Sequence, residues 1–299
     1  MVTGQSIDIH GPAVEIIKAM KADLSQLFQE ATEGLGNVQY TYGDSVKILE
    51  QTDKDIHVTF TGGSKDTFDL VVAANGSTSK TRSLILDEQV LKDSYNFLGW
   101  YNAFFSIPSR PTDPKLWQCY NSPKGLCIML RPHRNTSTVG AYLCITMLAR
   151  GQQDPAVEDS MEKGTEETKR MLHEYFENAG WEVKRVLEGI DHAEDFYMSR
   201  AAQVKLPQWT NGRALVLGDA AFATFGVGTS LAIESAYILV GELSKIQSSN
   251  DVPQALQKYE VFSPIICESR RTSTRFSANC ISAVCLRPSV KKLCIVVCE

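Results

Sequence analysis

Twice in this chain an apolar, strand-length run empties into a polar turn that contains glycine. That pair restricts the fold to one with a buried sheet whose strand ends carry a site. Phe68 to Ala74 is almost continuously apolar and stops at Asn75-Gly76, the pattern of a strand covered on both faces. Ala214 to Leu217 repeats it and stops at Gly218-Asp219, after which Gly226 and Gly228 bracket a turn into an apolar helix from Gly228 to Leu243. A carboxylate at a strand end beside a helix start, with free backbone N–H groups nearby, suits a ligand carrying hydroxyls and partial negative charge. The bland alternatives are that Asp219 caps a turn, that the glycines only let helices pack closely, and that Arg82 is a solvated residue after an ordinary turn. Either motif alone leaves both readings open.

The rest of the chain alternates between helical and extended patterns. Ile16, Ile17, Met20, Leu24, Leu27, Phe28 and Ala31 recur at helical spacing between Pro12 and Gly34, which predicts an amphipathic helix. Short runs at Val38 to Tyr40, Ser45 to Gln51, Ile56 to Thr61 and Asp66 to Ala74 read as strands, with Thr61-Gly62-Gly63-Ser64 as a hairpin turn. Leu98 to Ile107, Leu116 to Tyr120, Gly125 to Arg131 and Val139 to Met147 follow with few helical periods between them, predicting an antiparallel sheet. Helices are expected over Glu162 to Ala179 and from Pro253 to Val261. After Pro264 the pattern breaks into a basic, cysteine-rich tail.

Composition removes several function classes. With 43% hydrophobic and 22% charged residues in 299, this is ordinary globular composition. A formal charge of -5 gives no electrostatic basis for a nucleic-acid partner or an anionic membrane surface. No run reaches the roughly 18 apolar residues of a membrane span, and the N-terminus lacks the pattern of a signal peptide, so a cytoplasmic location is expected. The eight cysteines include no CxxC pair and the five histidines share no ligand spacing, so no metal site is expected and the thiols read as reduced. Trp100, Tyr101, Phe104, Phe105, Trp117 and Tyr120 crowd the middle sheet, where they serve either as core or as the lining of a pocket for an apolar substrate.

Taken together, the two turn motifs resemble the C-terminal fingerprints of the flavin-dependent aromatic monooxygenases, the para-hydroxybenzoate hydroxylase fold that includes salicylate hydroxylases and tetracycline-inactivating enzymes. Asn75-Gly76 with Ser79 and Arg82 matches that family's Asp-Gly-x-x-Ser-x-x-Arg stretch, with Asn for Asp. Gly218-Asp219-Ala220-Ala221 matches its Gly-Asp-Ala-Ala stretch, and Gly226 and Gly228 match the glycines that open the next helix. Gly4 to Ile9 resembles a loop near the flavin, Lys21-Ala-Asp-Leu24 an Arg-x-Asp-Leu helix start, and Val46 falls on the strand beside the adenine. The likeness covers about residues 3 to 262.

The resemblance implies an α/β fold: an incomplete FAD-binding, Rossmann-like domain over 3–86 and 196–262, with an inserted antiparallel substrate-binding sheet over 94–150, a helix over 162–179 and an atypical tail over 264–299. It implies cofactor contacts from Gly218, Asp219, Ala220, Gly226, Gly228, Thr229, Lys21, Val46, Asn75, Gly76 and Arg82, with Asp219 on the ribityl chain and Asn75 to Arg82 supporting the phosphates and the strand packing. No catalytic side chain is expected, because the cofactor carries the chemistry. The implied activity is hydroxylation of a small organic molecule, aromatic ones included, with FAD, NAD(P)H and dioxygen, in secondary or degradative metabolism. The family's opening strand and GxGxxG turn do not precede Thr3, so a shortened member with weakened FAD binding is expected. Apolar surface on Val71, Val72, Leu215 and Leu217 should then lie partly uncovered. The alternative is a flavin-free, inactive or non-redox paralogue that keeps a small-molecule site.

Overall fold

The structure, a computed structural model, describes residues 31–32, 35–133, 137–224, 228–261 and 292–297. The helix expected from Pro12 falls outside these residues, apart from helical 31–32, as does the loop at Gly4 to Ile9. The chain forms two compact units, one built on Asn96–Ala202, the other on Asp8–Tyr95 with Gln203–Glu299.

The second unit begins with an antiparallel meander of β1 (Val46–Gln51), β2 (Ile56–Phe60) and β3 (Lys65–Phe68). Ile56 and Val58 are buried while His57 between them is exposed, the period-two signature of a half-covered sheet. The β2–β3 hairpin closes through Gly62-Gly63, with Phe60 N–H donating to Ser64 O at 2.9 Å. The single run read from Asp66 to Ala74 is two strands. Asp69 ends β3, and β4 (Leu70–Ala74) enters a different sheet. Short helices α1 (Arg82–Ile85) and α2 (Glu88–Leu91) follow.

The first unit is a five-stranded antiparallel sheet backed by helices. Its elements are β5 (Tyr95–Pro108), β6 (Gln118–Ser122), β7 (Leu126–Pro132), β8 (Thr138–Thr146), α3 (Pro155–Lys163), α4 (Thr165–Phe176), α5 (Val183–Asp191) and β9 (Tyr197–Val204), with strand order β6-β7-β8-β5-β9. Alternation sends Tyr101, Ala103, Phe105 and Ile107 of β5, with Ile128, Leu130 and Leu143, into a core shared with Met171, Leu172, Phe176, Val186 and Ile190. Asp154 caps α3, accepting from Ala156 N–H at 2.9 Å, a contact worth about 1 kcal/mol. Arg185 of α5 grips both carboxylate oxygens of Asp113 at 2.7 and 2.6 Å and also donates to Pro108 O at 2.8 Å, fixing the exit of β5. Helix α5 and strand β9 were not legible as elements in the sequence, and Val38 to Tyr40, read as a strand, is irregular.

The chain then returns to the second unit with β10 (Thr210–Asn211), β11 (Ala214–Val216), α6 (Asp219–Phe222), α7 (Gly228–Leu243), α8 (Val252–Glu260) and β12 (Leu293–Val297). The sheet order is β10-β11-β4-β12, with β11 and β12 both parallel to β4. Trp209, 1% exposed, packs between Phe222 and Tyr259. The guanidinium of Arg213 is buried among carbonyls, donating to Asp53 O, Asp69 O and Ser249 O, and so joins three loops.

The tail corrects the expectation of an uncovered sheet. β12 pairs with all five residues of β4, from Leu293 against Leu70 to Val297 against Ala74. Val71, Val72 and Leu215 are 0%, 3% and 0% exposed, while Leu217 is half-buried. Asp69 N–H donates to Lys292 O at 2.9 Å and its carboxylate accepts from Lys292 N–H at 3.0 Å, which docks the strand at its start. Ending the chain at Lys291 should lower stability to urea by about 2–4 kcal/mol, from half-burial of Leu293, Cys294 and Val296 at roughly 1 kcal/mol each plus the lost ladder. The bared β4 edge should also drive concentration-dependent association. An unchanged urea midpoint and mass in solution would show that β12 does not hold the sheet.

Candidate functional site

Parallel pairing of β11 with β4 sets the site. Ala214, Leu215 and Val216 lie against Val71, Val72 and Ala73, and Leu217 N–H donates to Ala73 O at 2.9 Å. Continued one step, this register brings the Gly218-Asp219 turn level with the Asn75-Gly76 turn. Both strands are apolar because both faces are covered; both end in polar turns because only the ends reach solvent.

Arg82 ties the two turns together. From the first turn of α1 its guanidinium donates to Ala220 O and to Ser77 O, each at 2.9 Å. The side chain is buried, and burial disfavours its charge, yet two of its donors meet backbone carbonyls. Arg82 thus supplies the strand-packing part of its expected role, with two of its donors on the protein's own backbone. Ser79 Oγ donates to Asn75 Oδ1 at 2.5 Å and accepts from Arg82 N–H at 3.0 Å, while Asn75 Nδ2 donates to Thr81 Oγ1 at 3.2 Å. Asn75 thus braces its own turn, and Gly76 O accepts from Ser79 N–H at 3.1 Å.

Gly218 adopts φ 60° and ψ -139°, a conformation essentially closed to other residues. That kink lets Gly218 O accept from the N–H groups of Ala221 and Phe222, both at 2.9 Å, and starts α6 at once. Ala220 is buried. Asp219 is different: it is exposed to solvent at the surface, yet protein encloses most of its surroundings and desolvation raises its carboxyl above the usual value. A carboxylate that water touches inside a concave protein wall satisfies both observations. A Cβ added at Gly228 would stand 3.2 Å from Asp219 Oδ1, so the carboxylate lies against the first residue of the 16-residue helix α7. The helix dipole there favours negative charge on whatever occupies the adjacent space.

Of the other expected contacts, Thr229 is half-buried in the first turn of α7, and Val46 is 7% exposed with its side chain in the core of the unit. Lys21 and Gly226 lie outside the described residues. Thr224, between α6 and α7, was not singled out in the sequence: its Oγ1 is buried without a hydrogen-bond partner among the described residues. No sequence signal marks such a hydroxyl, because its isolation is a property of packing. Among the described residues no cluster of His, Cys, Asp and Glu could hold a metal ion, and no helix is long and apolar enough to cross a membrane.

In the other unit, strand alternation divides the aromatic group. Tyr101 and Phe105 belong to the helix-backed core, and Tyr120 stacks on Trp181 at 5.7 Å. Trp117 is exposed, with Arg131 over its ring at 5.3 Å. Trp100 and Phe104 stand on the opposite face, where Phe104 meets Tyr142 edge-on at 5.1 Å and stacks with Tyr197 at 5.0 Å.

A family model described as an FAD binding domain matches residues 5–262. The chain is 33% identical over 262 residues to the monooxygenase CTB7 of Cercospora beticola, covering 85% of this chain and 61% of that protein. It is 32% identical over 257 residues to the flavin-dependent monooxygenase eupH of a Phoma species, covering 80% and 58%. The chain therefore spans about three fifths of the length of these relatives. The crystal structure of the tetracycline destructase Tet(51) is similar with a TM-score of 0.70 and 25% identity, over 87% of this chain and 76% of that one.

Two substitutions test the geometry. Arg82→Met should destabilise the protein by about 2–4 kcal/mol in urea unfolding, because two carbonyls lose charged donors; a neutral result would reject the clamp. Asp219→Asn should act in the opposite sense. A carboxyl raised in the folded state holds its proton more firmly there than when unfolded, so ionisation costs stability as pH rises from about 4. The Asn variant should melt higher than the parent at pH 7, and the difference should shrink as pH falls below the carboxylate range. A lower melting temperature at pH 7 would contradict the desolvation of Asp219.

Proposed function

Because the chain belongs to the FAD binding domain family, we propose that it binds FAD and serves a monooxygenase reaction that hydroxylates a small apolar substrate with dioxygen and NAD(P)H. The observation that carries this reading is the Asp219 carboxylate, accessible at the end of β11 and seated against the start of α7. The site fits the ribityl and ring end of a flavin in three respects. Asp219 is an acceptor for ribityl hydroxyls, Gly228 leaves room where a side chain would crowd that carboxylate, and the Thr224 hydroxyl lacks a partner among the described residues.

When bound, FAD supplies the electron storage and dioxygen activation that protein side chains do not. The residues of this chain do the rest. Asp219 holds the cofactor by charge-assisted hydrogen bonds, and the N–H groups at Gly228 and Thr229 stabilise negative charge placed before α7. Arg82, Ser79 and Asn75 act indirectly, by keeping the two turns in register. Trp100, Phe104, Tyr142 and Tyr197 offer an aromatic surface suited to an aromatic substrate. NAD(P)H as reductant, a role in secondary or degradative metabolism and a cytoplasmic setting belong to the same reading, which names no acid or base.

The test is titration of the purified chain with FAD, followed by quenching of flavin fluorescence, and then an assay of substrate-stimulated NAD(P)H oxidation. The expected result is saturable quenching that Asp219→Ala weakens by about 10–100-fold, as loss of a charge-assisted hydrogen bond worth about 1.5–3 kcal/mol requires. Quenching that is absent, or unaffected by Asp219→Ala, would overturn the assignment and favour a flavin-free paralogue.

A further inference from the structure

Three thiols stand side by side on one face of the five-stranded sheet. Cys127 of β7 lies directly across from Cys144 of β8, while Cys119 of β6 is diagonal to Cys127, their exact partners being Met129 and Asn121. All three alternate away from the helix-backed core, opposite in sense to Leu126, Ile128, Leu143 and Ile145. The sulfurs of Cys119 and Cys127 are 3.3 Å apart. Cys119 is exposed, Cys127 half-buried and Cys144 buried.

We propose that Cys119 and Cys127 form a peroxide-responsive dithiol that closes reversibly to a disulfide between β6 and β7. The two sulfurs must approach by only about 1.3 Å to reach bonding distance. Diagonal neighbours in an antiparallel pair stand farther apart at Cα than directly opposed residues, near the upper limit that a disulfide spans. The movement this demands falls on β6, a five-residue strand at the edge of the sheet, the element that can yield with least loss of packing. A bond closed at that limit, with one sulfur open to solvent, belongs to the readily reduced class of disulfides rather than to the permanent structural ones.

Exposure sets the order of events. The Cys119 sulfur attacks one oxygen of a peroxide, the O–O bond breaks, and water (or the alcohol of an alkyl peroxide) leaves while Cys119 becomes a sulfenic acid. The Cys127 sulfur then displaces the sulfenic oxygen as a second water and the S–S bond forms. Two electrons have passed from the thiols to the peroxide, and an external thiol returns them by exchange. Burial pushes the thiols of Cys127 and Cys144 up to about 12, so neither is a good first nucleophile. Cys127 can still resolve the sulfenic acid because contact with Cys119 replaces a bimolecular encounter with an intramolecular one. Cys144, 2% exposed on an inner strand, is beyond the reach of the oxidant.

The experiment uses the folded chain, treated with a few-fold excess of hydrogen peroxide, alkylated and cleaved with trypsin without reduction. Lys124 lies between the two cysteines, so cleavage there separates them unless a disulfide joins the peptides. The expected product is a linked pair two hydrogens lighter than the separate peptides, removed by glutathione and absent from Cys119→Ser. In Cys127→Ser the sulfenic acid has no resolving partner, and sulfinic acid at Cys119 should rise several-fold. Sulfinic acid at Cys119 of the unsubstituted chain without a linked pair would overturn the proposal. So would a Cys127–Cys144 link in its place, or a linked pair that glutathione leaves intact. The unsubstituted chain decides the matter even where a serine variant folds poorly.

Discussion

The guanidinium of Arg82 is the contact on which the site depends. Two strands distant in sequence can lie in register and still let their end turns diverge, since the ladder stops where the polar turns begin. Arg82 prevents this by donating to Ser77 O in one turn and Ala220 O in the other. Burying a cation is costly, and carbonyl partners recover that cost only when the geometry is met at both ends. The arrangement therefore tolerates little drift, and Asp219, one residue before Ala220, inherits its position from it.

Asp219 shows the stability conflict common at binding sites. Its carboxylate is accessible but enclosed, and its ionisation is disfavoured by the protein around it. Nothing in packing requires a carboxylate there, and a neutral side chain of the same shape would suit the unliganded fold better. Its presence makes sense as a group waiting for hydrogen-bond donors from a ligand, with the start of α7 alongside to favour negative charge. The buried Thr224 hydroxyl has the same character, a polar group without a partner among the described residues, close in sequence to the same helix start.

The sheet of the second unit illustrates how an edge is managed. β4 is buried on both faces and needs a neighbour on each side. β11 provides one and β12 the other, with Asp69 donating its N–H to Lys292 O and accepting from Lys292 N–H through its carboxylate at the entrance. The same Asp69 breaks what reads as one run into β3 and β4. A single aspartate thus diverts the chain between sheets and docks the strand that closes the second one.

The sequence by itself determined the local elements and the chemistry at their ends. Apolar runs stopping at Asn75-Gly76 and Gly218-Asp219 are legible because strand burial and turn formation are decided by neighbouring residues, and the glycines opening α7 are visible for the same reason. The tertiary structure alone decided what those residues touch. Arg82 looks like a solvated or phosphate-facing cation until its carbonyl partners come from residues 77 and 220. Val46 is legible as a strand residue, but that its side chain faces the core is set by packing. The aromatics of the middle sheet look like one group until strand alternation sends Tyr101 and Phe105 one way and Trp100 and Phe104 the other. The apolar run of β12, Leu293 to Val297, carries a strand signal of its own, but its partner, the edge of β4, lies more than two hundred residues earlier in the chain. Composition and spacing act over a few residues, whereas desolvation, edge pairing and hydrogen-bond partnership are settled by segments that meet only when the chain has folded.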